Sequence, residues 1–321
     1  MLRAADENRK SSAAIPLVFR MNHLYSIFSV MMTSYQTQQQ RNLYNQKIRL
    51  AGLLKLCFVM ISTGLGIALP AHAQHSLGAR MAALGHAGSA LGDGAWNVFA
   101  NPALLSAETG TISFYGIRNY GMSELTDMAA SGSYSPGGRV GTFALGMHSY
   151  GFELYRESRF RLGYQNSYAG LKLGVVPGIT HLSIRNYGSA TAFTLDAGLA
   201  YALVEDVLYF GAWASNLNRA RLGESREELP RALAAGLSYR IARRALLTGE
   251  VFKDVRFPVS WRGGLEVELI DQLFVRGGLT TEPLTYALGA GYRTGRLSFN
   301  FAAQQHYALG WSPGLDIGLR W

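Results

Sequence analysis

The sequence predicts an all-β fold: a transmembrane antiparallel up-and-down β-barrel of about 14 strands, with a short amino-terminal hatch or plug segment. Three observations predict it. Apolar and polar residues alternate with period two from Thr109 to Trp321, tight and longer connections come in turn, and charge is sparse for a chain of this length.

The alternation is clearest late in the chain. Phe193, Leu195, Ala197, Leu199, Tyr201 and Leu203 share one face, opposed by Thr194, Asp196, Gly198, Ala200 and Ala202. Trp261, Leu265, Val267 and Leu269 oppose Arg262, Glu266 and Glu268, and Leu297, Phe299 and Phe301 oppose Ser298, Asn300 and Gln304. Such runs are strands with one apolar and one polar face. Fourteen of them fit between 109–118 and 312–321, at about fifteen residues per strand with its connection, which suits strands tilted across a bilayer. The links 135–138, 168–170, 205–207, 242–245, 271–272 and 293–296 are tight, and the longest of the others is 215–229. With both termini on the periplasmic side, every tight turn falls on that side. Tyr and Trp recur near strand ends, among them Tyr115, Tyr120, Tyr150, Tyr168, Trp311 and Trp321, as interfacial girdles require.

The formal charge of +9 suggests an acidic partner, but its distribution excludes nucleic acid. Residues 1–73 hold eight Lys and Arg against Asp6 and Glu7, leaving 22 basic and 19 acidic residues in the remainder. That leading stretch has the parts of a secretory signal: Lys47, Arg49 and Lys55, an uncharged run from Leu56 to Leu69, then Ala71-His72-Ala73. Fourteen residues rise about 21 Å as a helix, short of a ~30 Å hydrocarbon core, so cleavage after Ala73 is expected. Cys57 is the one cysteine, so the exported chain holds no disulfide and no thiolate metal site. The expected organisation is an unpatterned extension at 1–46, a signal peptide at 47–73, a hatch or plug at 74–106 and a barrel at 107–321.

Arginine on the lipid face costs about 2–4 kcal/mol at mid-depth, so strand charges are expected in the lumen. The candidates are Arg159, Arg161, Asp196, Arg240, Arg262, Glu266, Arg276 and Arg293, with Arg185, Glu250, Glu268 and Arg320 on the same polar faces. A self-neutralising network is favoured over an anion-binding lumen. No histidine pair has metal-ligand spacing, and His148-Ser149, being adjacent on a strand, point to opposite faces. Neither an enzyme nor a cofactor is expected.

Residues 78–106 lack strand periodicity and are rich in small residues. Asn101 is placed to cap a short apolar helix, with Pro102 at its first position and Ala103 next. Glycines at 78, 85, 88, 92 and 94 allow close backbone approach but do not make a phosphate loop. The run resembles the amino-terminal motif of the PorV/PorQ family through Gly78, Ala79, Arg80, Ala82, Gly85, Ala87, Asp93, Asn101, Pro102, Ala103 and Leu105. Residues 215–239 resemble a second block of that family, with Asn218 where a glycine is usual, and 308–319 its closing hairpin. The family is similar to FadL-type channels for hydrophobic substrates.

The resemblance implies an outer-membrane barrel that is an accessory or cargo-handling component of type IX protein secretion; a channel for hydrophobic or small solutes is the alternative. Outer-membrane lipid, the barrel-assembly machinery and secretion components or cargo are the partners implied. Arg80, Asp93, Trp96, Asn101, Pro102 and Ala103 are the hatch or gate candidates. Leu315, Ile317, Leu319 and Trp321 resemble the terminal signal read by the outer-membrane insertion machinery.

Overall fold

A computed structural model describes residues 76–321, apart from 93, 106–109, 138–139 and 224–226. The expected extension, signal peptide and cleavage site lie outside the described residues, as does Asp93. Among those described, no helix is long and apolar enough to cross a membrane.

The described residues begin with a five-residue helix, α1 (Ala79–Ala83), and two 3-10 turns, Ala95–Phe99 and Pro102–Leu104. The strands come next: β1 (Gly110–Arg118), β2 (Thr126–Tyr134), β3 (Thr142–Gly151), β4 (Tyr155–Tyr168), β5 (Leu171–Ile184), β6 (Gly188–Val204) and β7 (Leu208–Ala214). After them come β8 (Arg221–Leu222), β9 (Glu227–Glu228), β10 (Ala232–Ala242), β11 (Ala245–Asp254), β12 (Val259–Ile270) and β13 (Leu273–Thr281). β14 (Leu284–Thr294), β15 (Leu297–His306) and β16 (Gly310–Arg320) complete the chain.

Fourteen of these strands close an antiparallel barrel in which each pairs with its sequence neighbours, while β8 and β9 form a separate hairpin. The seam joins β1 to β16 with Phe114 opposite Ile317, and Gly110 and Trp321 exchange backbone hydrogen bonds of 3.1 and 3.0 Å at its end. The outward side chains are those expected of a lipid-facing wall. On β3, Phe143, Leu145 and Met147 are 44–47% exposed while Thr142, Ala144 and His148 are buried. Leu315, Ile317, Leu319 and Trp321 also face outward. A continuous apolar exterior around a polar interior is the arrangement a bilayer stabilises and water does not.

Three expectations change. The strands run further than the sequence pattern suggests, β6 to 17 residues, so that the links 152–154, 185–187, 282–283 and 307–309 are as short as the tight turns. On the other side the expected tight turn 135–138 becomes a link of 135–141, as long as 119–125, so the contrast in link length between the two ends rests on 215–231. Arg185 lies in the 185–187 link, where it pairs with Glu153 at 2.5 Å in solvent, and not in the lumen. Tyr115 is no girdle residue: it is buried with Ile117 on the inner face of β1, because Ile112 and Phe114 take the outer positions.

The long link 215–231 is ordered by the edge it covers. β7 stops at Ala214, leaving the outer part of β6 unpaired on that side. Leu217 N–H donates to the Leu195 carbonyl, and Asn218 completes the edge: its Oδ1 accepts from Leu195 N–H at 3.0 Å and its Nδ2 donates to the Phe193 carbonyl at 2.8 Å. Asparagine at 218, in place of glycine, supplies a side-chain amide where the neighbouring strand has ended.

Candidate functional site

Residues 76–105 run inside the barrel against the buried side of the strands. Their local structure is set by small residues. Gly78 has φ of 99°, and a Cβ there would lie 2.5 Å from Trp96 Cδ1, so Trp96 packs directly against the start of α1. The first amide of α1 is capped from the wall: Ala79 N–H donates to Asp316 Oδ2 at 2.8 Å. Asn101 does cap the turn that begins at Pro102, accepting from Ala103 N–H at 3.0 Å, although the element is a single 3-10 turn and not an α-helix.

The wall accommodates this segment with inward glycines. On β5, β6 and β7, a Cβ at Gly174 would collide with Pro102, at Gly198 with the Asn101 side chain, and at Gly211 with the Ser89 carbonyl. Gly264, Gly278 and Gly289 of β12–β14 do the same for Ala83, Leu84 and Gly85. Main chain therefore lies on main chain, and the carbonyls of the segment must find donors in the wall. Ser131 donates to the Ala95 carbonyl at 2.5 Å, Ser238 to Ala90 at 2.8 Å, Thr248 to Ala87 at 2.9 Å, Thr280 to Gly85 at 2.9 Å and Gln304 to Ala82 at 3.2 Å. Asn101 Nδ2 donates both to the Ser89 carbonyl, within the segment, and to Leu199 of β6.

Charge fixes the segment at two points, near its start and at Ser89. Arg80 grips Glu266 with two bonds of 2.8 Å and reaches the Gly92 carbonyl at 3.3 Å. Glu266 also accepts from Arg276 at 2.6 Å, Arg276 donates to Asn300 at 2.9 Å, and Asn300 donates to Asp316 at 2.7 Å. This chain of bonds leaves α1 at Arg80, crosses β12, β13, β15 and β16, and returns to α1 at Ala79. Further along, Ser89 donates its N–H and hydroxyl to Glu250 at 2.8 and 2.5 Å, and Glu250 is held by Arg262, whose guanidinium lies 3.6 Å above the Phe252 ring. Trp96 meets Tyr115 edge-on with ring centroids 5.7 Å apart.

The predicted site residues thus fall into three groups. Arg80, Trp96, Asn101, Pro102 and Ala103 meet the wall or one another inside the barrel, joined by Glu266, Arg276 and Arg262. Arg161 pairs with Asp196, and Arg159 with Glu157 at 2.5 Å, nearer the distal end and outside the bonds that hold the segment. Arg240 and Arg293 lie at the mouth where the barrel termini emerge, lining a cavity that Arg80 and Glu266 also border. His148 bonds Asp127 at 2.6 Å, and no group of potential metal ligands occurs among the described residues. Sequence reasoning missed Ser89, Ser131, Ser238, Thr248 and Thr280. The inward parity of the last four was readable, but nothing in the sequence marks a hydroxyl that meets a carbonyl of a distant segment.

No protein-family profile and no curated protein matches the chain. Solved structures do. The chain is similar in fold to the Ralstonia pickettii toluene transporter TbuX, at 12% identity and a TM-score of 0.57, over 77% of this chain and 99% of that one. It is similar to the CymD monoaromatic hydrocarbon channel at 13% and 0.56, over 77% and 98%. A deletion mutant of the TodX monoaromatic hydrocarbon channel aligns at 11% and 0.54, over 76% and 97%. At these identities the likeness is one of fold.

Proposed function

We propose that this protein is an outer-membrane channel for small hydrophobic solutes, exported through a signal peptide cleaved after Ala73, with residues 76–105 as its hatch. One observation carries the reading: the barrel interior is occupied by a segment that joins no strand ladder. It is held by side-chain bonds and packing, and such contacts can be exchanged without opening the wall. That the similar folds belong to channels and a transporter named for toluene and monoaromatic hydrocarbons supports the substrate class. Arg80, Asn101 and Pro102 are the gate residues in this reading, and Leu315, Ile317, Leu319 and Trp321 the assembly signal.

A second reading, an accessory role in type IX secretion, is favoured by the PorV/PorQ-like motif and by the shortness of the distal links. Only 119–125 and 215–231 are long enough to build on, which leaves little room for a solute-capturing surface outside. Deleting the gene in the native host separates the two. Slower toluene uptake with an unchanged set of secreted proteins is expected; lost secretion with normal uptake would replace the channel by the secretion accessory.

A further inference from the structure

A cavity of about 420 Å³ opens at the mouth where the barrel termini emerge, bordered by the 243–244, 271–272 and 295–296 turns. Six guanidiniums line it, from Arg80, Arg240, Arg243, Arg244, Arg293 and Arg320, against the carboxylates of Glu266 and Glu268. One of the two internal carboxylates is already committed to ion pairs. Glu266 is shared by Arg80 and Arg276, and Glu268 accepts from the Gln272 amide at 3.3 Å. Arg244 is paired with Asp271 at 2.5 Å, and Arg293 stands 5.1 Å over the Phe274 ring. Arg240 and Arg243 enter no ion pair among the described residues.

Like charges gathered around one space repel, and surfaces usually intersperse the two signs. Planar forks approaching from separate strands and turns match a multidentate oxyanion, which several donors can hold at once. Arg80, Arg293 and Arg320 have further partners, Arg320 bonding the Gly295 carbonyl at 3.0 Å, so the excess rests on Arg240 and Arg243, and a group carrying two negative charges offsets it better than a single carboxylate.

We propose that this cavity is a phosphate site, taking either a soluble phosphate compound or the head group of a phospholipid. The site goes beyond the channel reading and stands without it. Arg80 belongs both to this cavity and to the bond that anchors α1, so an occupant competes with Glu266 for it.

The full-length protein, purified from membranes and reconstituted in phosphatidylcholine nanodiscs, is titrated with inorganic pyrophosphate by calorimetry. In parallel, phosphatidylglycerol retention is read by native mass spectrometry. Saturable binding of at least one probe is expected, weakening as salt rises and falling about tenfold or more in an Arg240→Gln/Arg243→Gln double variant. Both side chains are exposed, so the variant should keep its heat-modifiable gel mobility. Pyrophosphate binding makes a soluble phosphate the source, and retention of phosphatidylglycerol alone makes it the lipid. Binding of neither probe, or binding that the folded double variant leaves unchanged, overturns the site.

Discussion

Residues 76–105 and 215–231 both escape the barrel ladder, yet the wall holds them in different ways. The first lies on inward glycines, and its carbonyls are taken by Ser, Thr and Gln side chains from the wall. The second covers the open edge of β6 with one main-chain bond, from Leu217 to Leu195, and two from the Asn218 side chain, to Leu195 and Phe193. An interior bonded through side chains can be loosened one contact at a time. The edge of β6 concentrates its side-chain bonds in one residue, Asn218, and keeps one main-chain bond that is lost only by local unfolding.

That contrast can be broken at graded strength. The largest effect is expected from Arg80→Ala, which takes one partner from a mostly buried ion pair and should weaken docking of the segment by about 3 kcal/mol. Planar-bilayer conductance should rise and protease should cut within 76–105 while heat-modifiable mobility persists. Unchanged conductance with full protection would remove Arg80 from the latch. Gly211→Val should act next, at about 1–3 kcal/mol, because its new side chain meets the Ser89 carbonyl. Its protease pattern should match that of Arg80→Ala, and a loss of the whole barrel instead would show that the segment and the wall are one cooperative unit. Asn101→Ala leaves the Ser89 and Leu199 carbonyls without their amide donor and should weaken docking by about 1–2 kcal/mol, read as faster hydrogen exchange of the Ala103 amide. The smallest is Asn218→Ala, about 1 kcal/mol, which should expose 215–231 to protease and leave conductance as it was. A conductance change there would mean that the two segments communicate.

Much of the fold is legible in the chain. Alternation identifies the wall because a lipid-facing position and a lumen position differ in chemistry at every step. It fails on β1, where Tyr115 and Ile117 are apolar and inward: the segment they cover is itself apolar, so both faces of that strand read alike. The Asn101 cap is readable because it is a local interaction, two residues long. The grip of Arg80 on Glu266 is not, since 186 residues separate them and only the closed register brings them together. The glycines of the segment stand out in the sequence as sources of softness. Those that admit it, such as Gly211 and Gly278, sit in strands where alternation alone gives them no purpose.

The bond between Ala79 and Asp316 spans 237 positions, from near the start of the described chain to its last strand. The wall partners around it begin on β2 and end on β16, so the cradle exists only after the seam has closed. The part of this chain that leaves the ribosome early is therefore expected to reach its place last, once every strand has been laid down. Until then its carbonyls must stay in water, and a seam that fails to close, as with Trp321 removed, should leave 76–105 open to protease in the periplasm.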